Sequence, residues 1–254
     1  MYDVIIIGAG MAGMTAAIYV ARAGRKVLVL ENKAHGGQII NSYKIENWPG
    51  DFGVSGPDLM EKIYNQMKDL GAEIKYEEAI SLKEEGEKFL VKTDEAEYNC
   101  DAIIIATGTE PRKLDEERTK EVGDRPILYC ATCDGALYKD KTVAVIGGGN
   151  SAKHEIEYLE KIVAKVYPVH FEDPIPEDVE AVFVAIGREP ATSAFKDFVD
   201  LDENGYIVAD ESCKTSRNGV FVAGDCRTKN IRQLVTAAGD GAVAAETAIR
   251  YLGE

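Results

Sequence analysis

The N-terminal part of the chain alternates apolar strands with a glycine-rich turn and a helix. A β-branched run from Asp3 to Ile7 enters Gly8-Ala9-Gly10-Met11-Ala12-Gly13; an alanine-rich helix follows, and then a buried strand from Lys26 to Leu30. In a strand–turn–helix–strand unit, the glycines allow a tight turn and let backbone amides approach a pyrophosphate. Glu31, directly after the second strand, is positioned to accept hydrogen bonds from a ribose. The pattern predicts a dinucleotide site.

The same pattern returns later in the chain, without the features of a complete site. A strand from Thr142 to Ile146 precedes Gly147-Gly148-Gly149, a helix predicted over 151–164 and a strand predicted from Lys165 to His170. Pro168 lacks an amide donor and belongs on an edge strand. The segment 171–178 is acidic and proline-rich and leads directly to the next apolar run. We therefore predict that a third strand is absent and that Pro168 lies on an exposed edge.

The remaining pattern completes an α/β chain with two nucleotide-fold units. Apolar residues at helical spacing predict a helix over 55–70, and alternation predicts a hairpin or meander over 73–98. Buried strands are predicted over 102–106, 181–186 and 220–223, and a final alanine-rich helix over 234–252. Two such units in 254 residues predict two domains, the second of them truncated.

Composition and charge restrict the classes of function. The chain carries 29 Lys and Arg against 44 Asp and Glu, a formal net charge of −15, so a phosphate-neutralising nucleic-acid surface is not expected. No apolar run is long enough to cross a bilayer, and no signal peptide is evident, so neither membrane association nor export is expected. Five cysteines, an odd number, favour a reducing, cytoplasmic setting.

Cys130-Ala131-Thr132-Cys133-Asp134-Gly135 is the chemical centre that the sequence indicates. Two cysteines at this spacing form a reducible disulfide, and positive local potential lowers the pKa of such thiols. The alternative is half of a zinc site, which needs a second cysteine or histidine pair nearby. His35, His154 and His170 do not have that spacing, so redox chemistry is the favoured reading.

Taken together, these motifs resemble low-molecular-weight thioredoxin reductases along nearly the whole chain. Further matching segments are Gly36-Gly37-Gln38, Glu46-Asn47-Trp48-Pro49-Gly50, Ala106-Thr107-Gly108, Gly147-Gly148-Gly149-Asn150-Ser151-Ala152, Gly224-Asp225 and Arg232-Gln233. The resemblance implies a homodimer whose FAD domain is discontinuous, residues 1–115 and 188–254. A small domain, residues 116–187, is inserted into it and carries the cysteine pair and the truncated nucleotide fold.

The resemblance also implies roles for single residues. Cys133 faces the flavin, Cys130 attacks a thioredoxin-like protein, and Asp134 donates a proton to the departing thiolate. Asp225 hydrogen-bonds the ribityl chain, and Arg232 and Gln233 lie near the ring system. The positions that match the family's FAD contacts are Gly8, Gly10, Met11, Ala12, Glu31, Gly37, Gln38, Asn47, Ala79, Thr107, Gly108, Gly224, Asp225, Arg232, Gln233 and Leu234.

The sequence departs from the family where NADPH is held. The family binds the 2′-phosphate with a His-Arg-Arg-x-x-x-Arg stretch, whereas this chain has His170-Phe171-Glu172-Asp173, whose carboxylates repel a phosphate. The sequence therefore resembles the ferredoxin-dependent subgroup, in which reduced ferredoxin supplies electrons. An NADH- or NADPH-dependent reductase and a non-catalytic flavin scaffold or sensor are the alternatives. Lys139, Lys141, Arg227, Lys229 and Arg232 are either a docking patch for a partner or a solvated surface.

Overall fold

The computed structural model describes residues 1–253, whose strands and helices alternate as an α/β fold. The helices are α1 Met11–Arg22, α2 Gly56–Asp69, α3 Glu116–Val122, α4 Ala131–Asp134, α5 Asn150–Leu159 and α6 Leu234–Tyr251. The strands are β1 Tyr2–Ile7, β2 Val27–Leu30, β3 Glu73–Lys75, β4 Ala79–Glu85, β5 Lys88–Thr93, β6 Glu97–Ile105, β7 Thr109–Pro111, β8 Ile127–Leu128, β9 Thr142–Ile146, β10 Lys165–Val169, β11 Ala181–Val184, β12 Arg188–Pro190 and β13 Val220–Val222.

The chain forms two compact units. Unit 1 consists of Met1–Thr109 together with the chain from Pro190 onward, and unit 2 consists of Glu110–Glu189. The chain passes between the units within β7 and β12, which pair as a two-stranded ribbon. Unit 2 is thus an insertion in the sequence of unit 1.

Unit 1 is built on a sheet in the order β3-β2-β1-β6-β5-β4, with β13 also paired to β6. Alternate residues of the parallel strands enter opposite apolar layers, as the period of two requires. Val4 and Ile6 of β1 pack in the layer that contains the α1 residues, whereas Ile5 and Ile7 pack in the layer that contains Phe89 of β5. The close-packed strands β1, β2 and β6 place their carboxyl ends at one edge of the sheet.

Unit 2 is a parallel sheet of order β10-β9-β11-β8. β10 is an edge strand, Pro168 within it is exposed, and within residues 170–180, all described by the structure, no helix or strand forms. The predictions of a missing third strand and of an exposed Pro168 are confirmed. Ile175 and Val179 of this connector instead cover one face of the sheet with Leu114 and Val122.

Two element predictions need correction. The helix predicted over 151–164 ends at Leu159, because the chain turns there. Ala164 then donates its N–H to Lys141 O at 2.8 Å, and β10 begins at the next residue. The meander predicted over 73–98 is only part of that segment: Glu73–Lys75 joins β2 as a parallel strand, whereas β4, β5 and β6 pair in succession as antiparallel neighbours. The predicted α/β class with two Rossmann-like units is confirmed. Within residues 1–253, no helix is both long and apolar enough to span a membrane.

Candidate functional site: a dinucleotide cradle and a redox-active cysteine pair

The turn between β1 and α1 is shaped by two glycines whose missing side chains allow close backbone packing. Gly8 has φ +109°, and a Cβ there would lie 2.4 Å from Ala106 O. A Cβ on Gly13 would lie 1.9 Å from Gly8 O, so this glycine lets α1 approach the end of β1. Gly10 differs from both, because among the described residues nothing lies nearer to its Cβ position than Gly37 Cα at 4.0 Å. Gly10 therefore borders open space.

That open space adjoins the start of α1. Gly10 is the N-cap of this helix, and among residues 1–253 no side chain caps its first amides. Met11 and Ala12, the first two helical residues, are buried. An uncapped helix N-terminus presents free N–H groups and a partial positive charge, which suit a pyrophosphate.

Glu31 lies beside the same turn. Its Oε2 accepts the Ala9 N–H at 2.8 Å, and its Oε1 accepts the Lys33 N–H at 3.0 Å. The carboxylate is thereby held at the carboxyl end of β2 next to the glycine turn. Each oxygen has a further acceptor site, so Glu31 can still accept a ribose hydroxyl.

Polar side chains from distant parts of unit 1 converge on each other. Gln38 donates its amide to Thr109 O and Thr109 Oγ1, both at 2.8 Å. Asn47 donates to Gln233 Oε1 at 2.9 Å across 186 residues of sequence. The fold thus brings together Asn47 and Gln233, which are both sequence-predicted contacts. It also places the predicted contact Gln38 against Thr109, which directly follows the predicted contact Gly108.

The Gly224–Cys226 turn follows β13 and packs on α1. A Cβ on Gly224, whose φ is +81°, would lie 2.8 Å from Ala12 Cβ. Arg232 donates its Nε–H to Asp225 O at 3.2 Å, and its guanidinium lies 3.9 Å from the Tyr206 ring centroid. Arg232 is therefore fixed to the backbone of Asp225 in this turn.

Four remaining sequence-predicted contacts also belong to unit 1. Thr107 and Gly108 follow β6, and Gly108 adopts φ +68° with no described atom within 4 Å of its Cβ position. Ala79 and Leu234 begin β4 and α6 and belong to the apolar layers of unit 1. Whether all sixteen residues contact one ligand stays a prediction.

A half-buried acid that sequence reasoning missed holds the Gly224 turn. Asp240 of α6 accepts the Gly224 N–H at 3.1 Å and pairs with Arg227 at 3.0 Å and Lys229 at 2.7 Å. Arg227 and Lys229 are therefore paired and mostly buried, so the hypothesis that they are part of a cationic docking patch is wrong. The one sequence signal for Asp240 was a charge between two glycines in an alanine-rich helix.

The geometry of unit 1 fits a dinucleotide. An uncapped helix start, an open position at Gly10 and a carboxylate beside the turn match the pyrophosphate and ribose of such a ligand. We therefore expect the glycine turn and Glu31 to hold the adenosine diphosphate part, with Asp225, Arg232 and Gln233 toward the other end.

In unit 2, Cys130 and Cys133 form a disulfide, with their Cα atoms 5.3 Å apart. Cys130 is the N-cap of α4, and its Sγ accepts the Cys133 N–H at 3.2 Å. Thr132 Oγ1 lies 3.3 Å from Cys130 Sγ. Cys133 and Thr132 are exposed, and Asp134 is half-buried at the end of the same turn. The pair is therefore accessible to a reductant or a partner disulfide.

The other three cysteines are buried and poorly suited to thiolate chemistry. Burial raises the pKa of Cys100 to about 12 and that of Cys213 to about 11. Burial also raises the pKa of Cys226, whose thiol lies 3.4 Å from Ala223 O. Among residues 1–253, no group of three or more His, Cys, Asp or Glu side chains is arranged to hold a metal ion.

Comparison with known proteins assigns this chain to a family. The profile of the pyridine nucleotide-disulphide oxidoreductase family matches residues 2–177 and 165–241. A thioredoxin reductase of Listeria innocua is 37% identical over 302 aligned positions, which cover 100% of this chain and 95% of the relative. This chain belongs to the thioredoxin reductase family. A Bacillus subtilis thioredoxin reductase is 35% identical and is covered to 96%.

Solved thioredoxin reductases share the fold. The enzyme of Lactococcus lactis matches with a TM-score of 0.90 and 33% identity, covering 100% of this chain and 99% of that one. A ferredoxin-flavin thioredoxin reductase of Clostridium acetobutylicum matches with a TM-score of 0.65 and 29% identity, covering 99% and 97%. FAD is the cofactor of the family, and this chain is a flavoprotein disulfide oxidoreductase of the thioredoxin reductase type.

The alignment also bears on the length of this thioredoxin reductase. The Listeria innocua alignment has 302 positions and this chain has 254 residues, so at least 48 positions (302 − 254) have no residue here. Because the alignment covers the whole chain, these missing residues are internal.

Proposed function

We propose that this protein takes electrons from reduced ferredoxin, through FAD and the Cys130–Cys133 disulfide, and delivers them to thioredoxin or a similar protein. In this proposal residues 1–115 and 188–254 are the FAD domain and residues 116–187 the inserted domain. The observation that carries the choice of donor is the end of β10, where the residues needed to bind NADPH are replaced by others.

The surroundings of β10 are unfavourable to NADPH. His170 takes the place that Glu31 has in unit 1, and its Nδ1 lies 3.4 Å from the Cβ position of Gly148. Glu172 and Asp173 follow, and both are exposed acids where a phosphate would need cations. β10 is an edge strand, so no third strand extends the surface on which a nucleotide lies.

The flavin residues have binding and orienting roles in this proposal. Free amides at the start of α1 hold the pyrophosphate, and Glu31 holds the ribose. Asp225 hydrogen-bonds the ribityl chain, and the pairs Asn47–Gln233 and Asp225–Arg232 keep the other end of the site in place. Bound FAD supplies the ability to take electrons singly and to pass on a pair.

The cysteines carry out the exchange with the protein substrate. Reduction of the Cys130–Cys133 disulfide by two electrons and two protons gives two thiols. The Cys130 thiolate then attacks a substrate sulfur, which forms a mixed disulfide and releases one substrate thiolate. Cys133 attacks Cys130 Sγ, reforms the internal disulfide and releases the second. Asp134 supplies a proton to a departing thiolate.

Known relatives support this proposal in part. The Clostridium acetobutylicum protein is named a ferredoxin-flavin thioredoxin reductase and matches 99% of this chain. The more similar relatives are named thioredoxin reductase without a donor. The net charge of −15 opposes long-range attraction to an acidic ferredoxin, so docking relies on local contacts. Homodimer formation is a further expectation, which sedimentation of the flavin-loaded protein will test.

One observation favours a second candidate, an NADH-dependent reductase. The first turn of unit 2 keeps the backbone of a nucleotide turn, since a Cβ on Gly147 would lie 2.3 Å from Ala185 O, and no described side chain caps α5. A pyrophosphate could still bind there, and Glu172 suits an unphosphorylated ribose.

An anaerobic flavin titration separates the donors. Reduced ferredoxin, NADH and NADPH are added side by side, and the absorbance of bound flavin is followed. We expect rapid bleaching by ferredoxin and slow or no bleaching by either nucleotide. Rapid bleaching by NADPH or NADH with none by ferredoxin would overturn the proposal. Cys130→Ser should abolish disulfide reduction, and unchanged reductase activity in this variant would exclude the Cys130–Cys133 pair as the redox centre. A wild-type protein that binds flavin but reduces no protein disulfide with any of the three donors would identify a flavin scaffold or sensor.

A further inference from the structure

Helix α5 packs directly against the turn that contains the redox cysteines. Gly135, which follows α4, is buried, and a Cβ there would lie 3.0 Å from Leu159 Cδ2 and 3.5 Å from Tyr158 Cε1. Ala131, between the cysteines, is 1% exposed. The cysteine turn therefore has a fixed position on the surface of α5.

One acidic side chain of α5 reaches this turn. Glu155 is half-buried, and its Oε2 accepts the Ala131 N–H at 3.0 Å. Burial raises the pKa of Glu155, the Ala131 N–H opposes this increase, and the charge of Asp134 adds to it. Two carboxyl groups therefore flank the cysteine pair, of which the family motif contains only Asp134.

The backbone amides of α4 show why this contact matters. Cys133 N–H is satisfied by Cys130 Sγ at 3.2 Å, and Asp134 N–H by Cys130 O at 3.1 Å. Ala131 N–H, the first of the helix, has Glu155 as its acceptor. Glu155 thus anchors the peptide unit that directly follows Cys130, from a different helix.

We propose that Glu155 is a positioning residue that anchors the turn after Cys130 and makes the Cys130–Cys133 disulfide harder to reduce. The inference rests on the proposed function only in taking this pair as the redox centre, and it is independent of the electron donor. Glu155 contacts the backbone and not the reacting sulfurs.

The sign of the effect follows from charge. Reduction converts one disulfide, two electrons and two protons to two thiols, and part of the reduced pair ionises at pH 8. A nearby carboxylate disfavours a thiolate, so it shifts the equilibrium toward the disulfide. Glu155→Gln keeps an oxygen acceptor for Ala131 and removes the charge. This variant should therefore be easier to reduce, with the turn still in place.

The test is a redox titration of the FAD-loaded protein at pH 8. Samples are equilibrated in glutathione buffers, denatured and alkylated, and the added mass is measured. Cys100, Cys213 and Cys226 are free thiols and are alkylated in every sample, so only Cys130 and Cys133 change. Glu157→Gln is the matched control, because it removes one exposed carboxylate from the same helix.

For Glu155→Gln we expect the equilibrium to shift about tenfold toward the dithiol, which is about 30 mV for a two-electron couple. Glu155→Ala should shift it similarly and also lower the melting temperature, whereas Glu155→Gln should melt like the wild type. Glu157→Gln should stay within about twofold of the wild type. A Glu155→Gln value within twofold of the wild type, or an equal shift in Glu157→Gln, overturns the inference.

Failure of the proposed function has a different signature. If the wild-type pair does not titrate as a two-electron couple, or if it is not reduced when the bound flavin is photoreduced, the pair is not the redox centre. If the wild type behaves as a redox centre and the Glu155 variants do not differ from it, only the role of Glu155 is refuted.

Discussion

In both glycine-rich units the first glycine follows a buried parallel strand and makes the same backbone contacts. Gly8 N–H donates to Leu30 O at 2.7 Å, and Gly147 N–H donates to Val169 O at 3.0 Å. A Cβ would lie 2.4 Å from Ala106 O in the first unit and 2.3 Å from Ala185 O in the second. The turn itself therefore does not distinguish a dinucleotide site from its remnant.

The difference lies in the residues around the turn. Gly13 in unit 1 corresponds to Ala152 in unit 2, where a methyl group separates the helix from the strand. The carboxylate of Glu31 corresponds to the imidazole of His170. β2 is covered by β3 on its outer side, whereas β10 is the sheet edge. The first glycine therefore indicates only the strand–turn–helix fold. The positions of Gly13 and Glu31 and the presence of a third strand indicate whether a dinucleotide binds.

The largest effect is predicted for Gly13, the third glycine of the turn in unit 1. Gly13→Ala should destabilise unit 1 by at least about 3 kcal/mol, because its Cβ would lie 1.9 Å from Gly8 O and backbone must move. The flavin-to-protein ratio and the melting temperature should both fall sharply. The matched change Ala152→Gly should cost only about 0.5–1 kcal/mol, the usual cost of glycine in a helix.

A Gly13→Ala protein that keeps its flavin and its melting temperature would contradict this reading. Glycine at the position of Gly13 would then be dispensable in unit 1, as it is in unit 2, where Ala152 occupies that position. The two units would differ only in their acids and in the third strand.

The sequence alone predicted the features that depend on neighbouring residues. The glycine turns, Glu31 and the edge position of Pro168 follow from backbone constraints that act within a few residues. Asp240 and Glu155 were missed, because their partners Gly224 and Ala131 lie 16 and 24 residues away in sequence and are brought near by helix packing. The assignment of Arg227 and Lys229 to a docking patch failed for the same reason, since their burial cannot be read from a local run of charges.

The connector that replaces the third strand is held by three side chains of α3 and the residues just after it. Arg118 is 8% exposed and donates to Asp173 O and to Glu121. Glu121 accepts the Ile175 N–H at 2.9 Å, and Arg125 donates to Pro176 O at 3.0 Å. The Ile175 amide and the Arg118 guanidinium hold the pKa of Glu121 below its usual range.

The next largest effect is predicted for this connector. Arg118→Ala should destabilise unit 2 by about 1–3 kcal/mol, because Asp173 O and the Glu121 carboxylate both lose the donor that the buried Arg118 supplies. Amide hydrogen exchange over 171–177 should become faster, and the melting temperature should fall. Lys120→Ala, an exposed change on the same helix, should leave both unchanged. Equal exchange rates in the two variants would mean that the connector is held by Ile175 and Val179 packing alone.

The smallest effect is predicted at the strand edge. Pro168 corresponds to Val29, which is fully buried between two paired strands, and a proline is compatible only with the outer position. Pro168→Val restores an N–H and a β-branched side chain on an exposed strand, so the free energy of unfolding should change by no more than about 0.5 kcal/mol.

The new edge is also a better template for pairing with another chain. Sedimentation should therefore show self-association beyond the wild-type state as concentration rises, at an unchanged melting temperature. A variant that unfolds more easily, or that associates no more than the wild type, would show that the edge of unit 2 is protected by something other than Pro168. The contrast between an open second strand in unit 2 and a covered one in unit 1 would then lose its physical basis.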